Sequence, residues 1–173
     1  MITEISSLGE AKISTPVQKR ADGTHGISYV TDQDRVVIEI DDRQITRMVT
    51  GGEHLPCFEL AGPRRQIFFD PSKLKCALVS CGGLCPGLND IIRSIVLELH
   101  YGYGVRNIFG IRYGLQGFIA KYGHDLIDLT PESVVNIHDR GGTVLGSSRG
   151  PQDVDEIIDS LERSEERRVG KEC

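Results

Sequence analysis

Two glycine-rich stretches hold the residues of this sequence best suited to chemistry. The first is Cys81-Gly82-Gly83-Leu84-Cys85-Pro86-Gly87. The second runs from Arg140-Gly141-Gly142-Thr143-Val144-Leu145 into Gly146-Ser147-Ser148-Arg149-Gly150. The first sits between an apolar run, Cys76-Ala77-Leu78-Val79-Ser80, and a segment with helical spacing of Ile91, Ile92, Ile95, Val96 and Leu99. A turn that leaves a buried strand and enters a helix gathers backbone N–H groups and the positive helix end at one point, which suits a phosphate. Glycines there permit left-handed dihedrals and let an oxyanion approach with no Cβ in the way. The bland alternative is a tight connection and nothing more.

Three rival chemistries can be weighed on the residues themselves. A dinucleotide turn needs G-x-G-x-x-G and an acidic residue after the second strand. Here Gly82, Gly83 and Gly87 have other spacing, and Arg112 and Tyr113 stand where the acid belongs. A nucleophile elbow, Gly83-Leu84-Cys85-Pro86-Gly87, would make Cys85 the nucleophile with His100, His124 or His138 as base. Its oxyanion hole needs the N–H of the next residue, and Pro86 has none. Metal ligation by Cys81 and Cys85 lacks further ligands at matching spacing. Free thiols and surface or capping histidines are the expectation, including for His25 and His54.

The elements that must position the loops follow from periodicity. Cys76–Ser80 has the continuous apolar character of a strand buried on both faces of a parallel sheet. Asn89-Asp90 can cap the helix that follows, which ends near Gly102 and Gly104. Asn107-Ile108-Phe109-Gly110-Ile111 reads as the second strand, giving a βαβ unit. Thr130-Pro131-Glu132 predicts a helix start, with Val134, Val135 and Ile137 on its buried side. Val154, Ile157, Ile158 and Leu161 predict an amphipathic helix after the second loop. Ahead of all this, residues 1 to about 60 are weakly patterned, with one β signal at Arg35–Ile40 and an arm or small hairpin as the expected form.

Composition narrows the classes. The chain has 173 residues, 39% hydrophobic and 26% charged, with a formal net charge of −5. That balance fits a globular domain and argues against a nucleic-acid surface. No apolar run is long enough for a bilayer and no secretory leader is visible, so the expectation is a cytoplasmic protein with no membrane partner. The five cysteines form no paired framework.

With both loops in view, the chain resembles the phosphofructokinase family. Cys81 through Arg93 is similar to its first nucleotide-binding loop and helix. Leu84-Cys85, Gly62-Pro63-Arg64 and Ile67-Phe68-Phe69-Asp70-Pro71 resemble its plant-like branch, the mixed bacterial subgroup related to pyrophosphate-using enzymes. Gly110–Phe118 is similar to the segment after the second strand, and Gly141–Gly150 to the next phosphate-contacting loop. The likeness spans about Gly62 to Arg163. It implies that Gly82 contacts nucleotide phosphates through its backbone, with Gly83 in the same loop. It further implies that Arg149 reaches the transferring phosphoryl group and that Gly150 lines the site. Arg93 matches an effector-binding arginine of some members, although a solvated helix face is expected here. Leu115 departs from the aromatic residue many members carry beside the nucleotide.

The resemblance also implies what is missing. The family's Gly-Gly-Asp-Gly loop, which helps hold Mg²⁺, is not in the sequence, nor is the Thr-x-Asp-x-Asp segment that supplies the base. No metal ligand is assigned. The expected fold is α/β: a Rossmann-like three-layer parallel sheet with helices on both faces, as an incomplete nucleotide-binding domain. Residues 1–70 are expected to form an N-terminal arm with short β segments and 71–163 the partial domain. Residues 164–173 are expected to be a foreign or disordered tail, as if the gene had been truncated. The implied function is that of an N-terminal fragment of glycolytic 6-phosphofructokinase, passing the ATP γ-phosphoryl group to fructose 6-phosphate. The intact protein is expected to be a homo-oligomer and the fragment inactive. A pyrophosphate-dependent enzyme and a non-catalytic nucleotide- or phosphate-binding module are the alternatives.

Overall fold

The computed structural model describes residues 6–17 and 28–169, with side chains described through Glu162. The chain divides into two compact units, Met1–Asp70 and Pro71–Cys173. His25 and Cys173 lie outside the described residues, as do Met1–Ile5.

The first unit contains β1 (Ile13–Ser14), β2 (Arg35–Val37), α1 (Asp42–Thr50), β3 (Cys57–Glu59) and β4 (Gln66–Ile67). β1 pairs antiparallel with β4, and β2 with β3. The predicted strand at Arg35–Ile40 is thus shorter than its β-branched run. Asp41 ends it by capping α1, accepting from the N–H groups of Arg43 at 2.9 Å and Gln44 at 3.3 Å. No helix was expected here. α1 carries Ile45, Met48 and Val49 at helical spacing; Ile45 and Met48 are half-buried and no residue of the helix is fully buried. Before β2, Asp34 closes a tight turn on Thr31, accepting from its N–H at 2.7 Å and its hydroxyl at 2.8 Å. Those bonds from Thr31 hold the Asp34 carboxyl below its ordinary value.

The second unit is built on β5 (Lys75–Val79), α2 (Leu88–Leu97), β6 (Asn107–Ile111), β7 (Ile127–Asp128) and α3 (Val154–Val169). β5 and β6 are parallel, joined through α2, which confirms the expected βαβ unit. α2 widens into a π turn over Glu98–Gly102 before the chain reaches β6. β7 runs antiparallel to β6, so the sheet is mixed, not wholly parallel. The expectation of burial on both faces of β5 is also corrected. Cys76 and Leu78 pack against the core, whereas Lys75, Ala77 and Val79 alternate outward. β5 lies at the edge of the three-stranded sheet, and within the described residues only one of its faces is covered.

The core comprises Ile92 and Val96 of α2, Val105, Ile108 of β6, Leu129, Val134, Ile137 and Leu145. Burial of such side chains supplies roughly 1.5–3 kcal/mol each. Ile92 and Val96 are one helical turn apart and form the buried stripe, while Ile91 and Ile95 face outward.

The helix expected from Thr130 does not form; Pro131–Ile137 is a series of turns. Thr130 and Ser133 nevertheless make the bonds of a helix start. The Thr130 N–H donates to Ser133 Oγ at 2.8 Å, and the Ser133 N–H to Thr130 Oγ1 at 3.2 Å. These are the reciprocal bonds of a capping box, and the Val134 N–H reaches the Thr130 carbonyl at 3.2 Å, so the start is capped, but the two adjacent valines disfavour its propagation. Val134 and Ile137 still reach the core, while Val135 faces outward. α3 continues through Ser164 and ends at Val169. Among the described residues no helix is long and apolar enough to cross a membrane.

Candidate phosphate-binding site

The first glycine loop spans the gap between the end of β5 and the start of α2. Gly82 and Gly87 both take left-handed dihedrals, with φ +84° and +87°. Gly87, not Asn89, is the N-cap of α2, and no side chain caps the first turn. The expected capping role of Asn89-Asp90 is therefore corrected. Asn89 is already inside the helix and almost fully enclosed.

The second loop folds back onto the first through a set of specific contacts. Ser147 Oγ donates to the Gly82 carbonyl at 2.7 Å, and the Gly82 N–H donates to the Ser148 carbonyl at 3.2 Å. Ser80, at the end of β5, donates to the Gly146 carbonyl at 2.8 Å and stands 3.1 Å from Thr143 Oγ1. Asn89 Nδ2 donates to the Arg140 carbonyl at 2.8 Å, and its Oδ1 accepts the Val144 N–H at 2.9 Å. The Tyr113 N–H donates to the Leu145 carbonyl at 2.8 Å, fastening the loop to the segment after β6. Between these points Leu145 is only 1% exposed and anchors the loop in the core.

These contacts bring Arg149 to the first loop. A methyl group added at Gly83 would stand 3.7 Å from Arg149 Nη2, so the guanidinium lies directly over that glycine. A methyl added at Gly82 or Gly150 would meet nothing within 4 Å, which leaves the adjoining space open. The Asp90 carboxylate marks the far end of the loop, 3.9 Å from where a Cβ at Gly87 would be. Toward the opposite end of β5 from the loop, burial pushes the Cys76 thiol up from its ordinary value. Cys81 and Cys85 are exposed.

A phosphofructokinase family model matches residues 75–168, which includes both loops and α2. The chain belongs to the phosphofructokinase family. It is 43% identical over 158 residues to an ATP-dependent 6-phosphofructokinase of Amycolatopsis methanolica, covering 89% of this chain and 34% of the relative. A protein of the same name from Borreliella burgdorferi is 40% identical over 162 residues, or 92% of this chain and 35% of the relative. One from Trypanosoma cruzi is 50% identical over 105 residues, covering 61% and 22%. The chain therefore spans about a third of the length of the first two relatives.

Within this phosphofructokinase domain, the four residues singled out from the sequence, Gly82, Gly83, Arg149 and Gly150, fall on the two loops that meet. The histidines considered as bases have other company. His100 shares a 2.8 Å hydrogen bond with Arg106, His138 faces Asp139 at 3.3 Å, and His124 packs 4.5 Å from the Tyr113 ring. Among the described residues no hydrogen bond joins any of them to Cys85. Arg93, expected on a solvated face, is half-buried, and its Nε is enclosed without a hydrogen-bond partner among the described residues. Sequence reasoning missed Ser80, Asn89 and Ser147 as loop-fastening residues. Their partners stand 63 to 66 residues away for the two serines and 51 to 55 for Asn89, beyond any local pattern.

Proposed function

We propose that this chain is part of an enzyme that transfers the γ-phosphoryl group of ATP to the 1-hydroxyl of fructose 6-phosphate, giving fructose 1,6-bisphosphate, and that it seats the donor phosphates where the two glycine loops meet. The observation that carries this reading is the placement of Arg149 over Gly83, beside the open space at Gly82 and Gly150. Phosphoryl transfer spreads negative charge over equatorial oxygens, and a planar, permanently charged guanidinium can hold two of them at once. The Asp90 carboxylate repels an anion from the Gly87 end. The phosphate seat is therefore the Gly82–Gly83 side of the loop.

The Gly82 N–H reaches a phosphate only by exchanging the 3.2 Å bond to Ser148 for a bond to the ligand. At that length the exchange costs little, because an anion accepts a stronger, charge-assisted bond. The relatives named ATP-dependent enzymes, among them proteins of Trypanosoma cruzi and Arabidopsis thaliana, support ATP over pyrophosphate as the donor.

The Mg²⁺ that the family implies does not fit the residues present. Among the described residues no group of three His, Cys, Asp or Glu side chains could hold a metal ion. No step here is assigned to it. The sequence also contains no Thr-x-Asp-x-Asp segment to take the proton of the sugar hydroxyl. The 173 residues alone are accordingly expected to bind donor without turning it over.

Isothermal titration of the chain with ATP and with pyrophosphate tests the reading. ATP is expected to bind, and Arg149→Ala to weaken it by about ten- to a hundredfold, the size of a lost charge-assisted bond. Failure of the wild-type chain to bind ATP would overturn the proposed seat. Binding of pyrophosphate in preference to ATP would reassign the donor.

A further inference from the structure

Asn89 is a polar side chain at 2% exposure, in the first turn of the helix that the first glycine loop enters. Its amide neither caps that helix nor faces the open space at Gly82. Both of its ends instead reach across to the second loop, donating to Arg140 and accepting from Val144. These two points bracket the beginning of the segment that ends at Arg149. An amide is suited to this double role because it offers a donor and an acceptor on one short planar group. A carboxylate offers only acceptors, and an apolar side chain would leave a backbone N–H and a backbone carbonyl without partners in a buried place.

We propose that Asn89 is a positioning residue. By pinning the second loop to α2, it sets the distance between Arg149 and Gly83 and so the width of the phosphate seat. The proposal rests on reading that seat as the donor site. The linkage is mechanical: α2 and the second loop become one body, with Asn89 at one side of the loop and Leu145 in the core below it. Ser80 and Ser147 fasten the far side. Loosening the Asn89 side leaves the stretch from Arg140 to Val144 tied by the contact of Ser80 with Thr143 and freer to shift. The 3.2 Å bond from Gly82 to Ser148, a long one, is then the first inter-loop contact to open.

The test is amide hydrogen exchange on the ¹⁵N-labelled chain, joined to titration with ATP. In Asn89→Leu the Val144 and Gly82 amides are both expected to exchange faster by about tenfold or more, and ATP affinity to fall by a similar factor, as for the loss of two buried hydrogen bonds. Asn89→Asp keeps the acceptor for Val144 and loses the donor to Arg140. Its Val144 amide should stay protected while its Gly82 amide and ATP affinity shift part of the way. Val105→Ala, a core truncation outside both loops and their flanking turns, serves as the control for general destabilisation and should leave the Gly82 amide protected.

Unchanged Gly82 protection and ATP affinity in Asn89→Leu would overturn the proposal, even with a lowered melting temperature, since that is what a merely structural residue does. If Asn89→Leu does not fold, Asn89→Asp decides by the same two readouts, and no change in either one overturns the proposal. A wild-type chain that binds no ATP sinks the donor-site reading separately, and the exchange comparison then decides the positioning of the loop by itself.

Discussion

Leu145 occupies the space that a side chain at Gly110 would need. A Cβ built on Gly110 would collide with Leu145 Cδ2 and crowd Leu129 Cδ1 at 3.3 Å. Gly110 sits in the middle of β6, where glycine ordinarily weakens a strand. Here it opens the socket that lets the second loop insert its leucine and remain attached to the sheet.

Gly110→Ala is therefore expected to destabilise the chain by about 1–3 kcal/mol through overpacking. Leu145→Ala should cost about 2–5 kcal/mol through the cavity it leaves. Urea unfolding measures both. A neutral Gly110→Ala would show that the loop does not depend on this socket.

The glycines of the site are predicted to differ in what they tolerate. Gly82 has φ +84° and free space around a built Cβ, so Gly82→Ala carries only the left-handed penalty of about 1–2 kcal/mol. Gly114 has φ +61°, and its Cβ would stand 2.8 Å from Ser148 Oγ, 3.1 Å from Ser148 N and 3.2 Å from Ser80 O. Gly114→Ala should thus destabilise more than Gly82→Ala, by about 1 kcal/mol or more, since it adds overpacking to the same strain. The reverse order in parallel urea curves would contradict the packing described for this loop.

Thiol reactivity should separate the cysteines. Cys81 and Cys85 are exposed, and Cys76 is half-buried with its thiol pushed up by burial. A raised pKa means less thiolate at any given pH, so Cys76 alkylation rises only at more alkaline pH. Iodoacetamide at neutral pH, followed by peptide mass mapping, should label Cys81 and Cys85 first. Early labelling of Cys76 would place that strand face in solvent. A Cys85 far more reactive than Cys81 would revive a nucleophilic role for it.

Much of the second unit was legible from residue patterns alone. The run Cys76–Ser80 marked β5 to within one residue, and Asn107–Ile111 marked β6 as observed. The glycine, proline and glycine between β5 and α2 marked a loop, because few other residues accept its left-handed positions. Patterns failed over how far a capped start is carried into a helix. Thr130 and Ser133 cap a start that is not carried past the valine pair, and Asp41 starts a helix whose short apolar stripe, Ile45, Met48 and Val49, lies in an otherwise weakly patterned region.

The amino-acid order by itself determined the two glycine loops, their strand and helix neighbours, and the resemblance that ties them to phosphoryl transfer. These are local matters of dihedral freedom and apolar spacing, which a short window of residues encodes. Only the tertiary structure decided that the loops touch. It placed Arg149 over Gly83 and turned Asn89 from an expected cap into a clasp on Arg140 and Val144. The reason is separation along the chain. Contacts across fifty or more residues depend on how β5, α2 and β6 pack, and on the socket at Gly110 that receives Leu145. No residue in either loop specifies that packing alone.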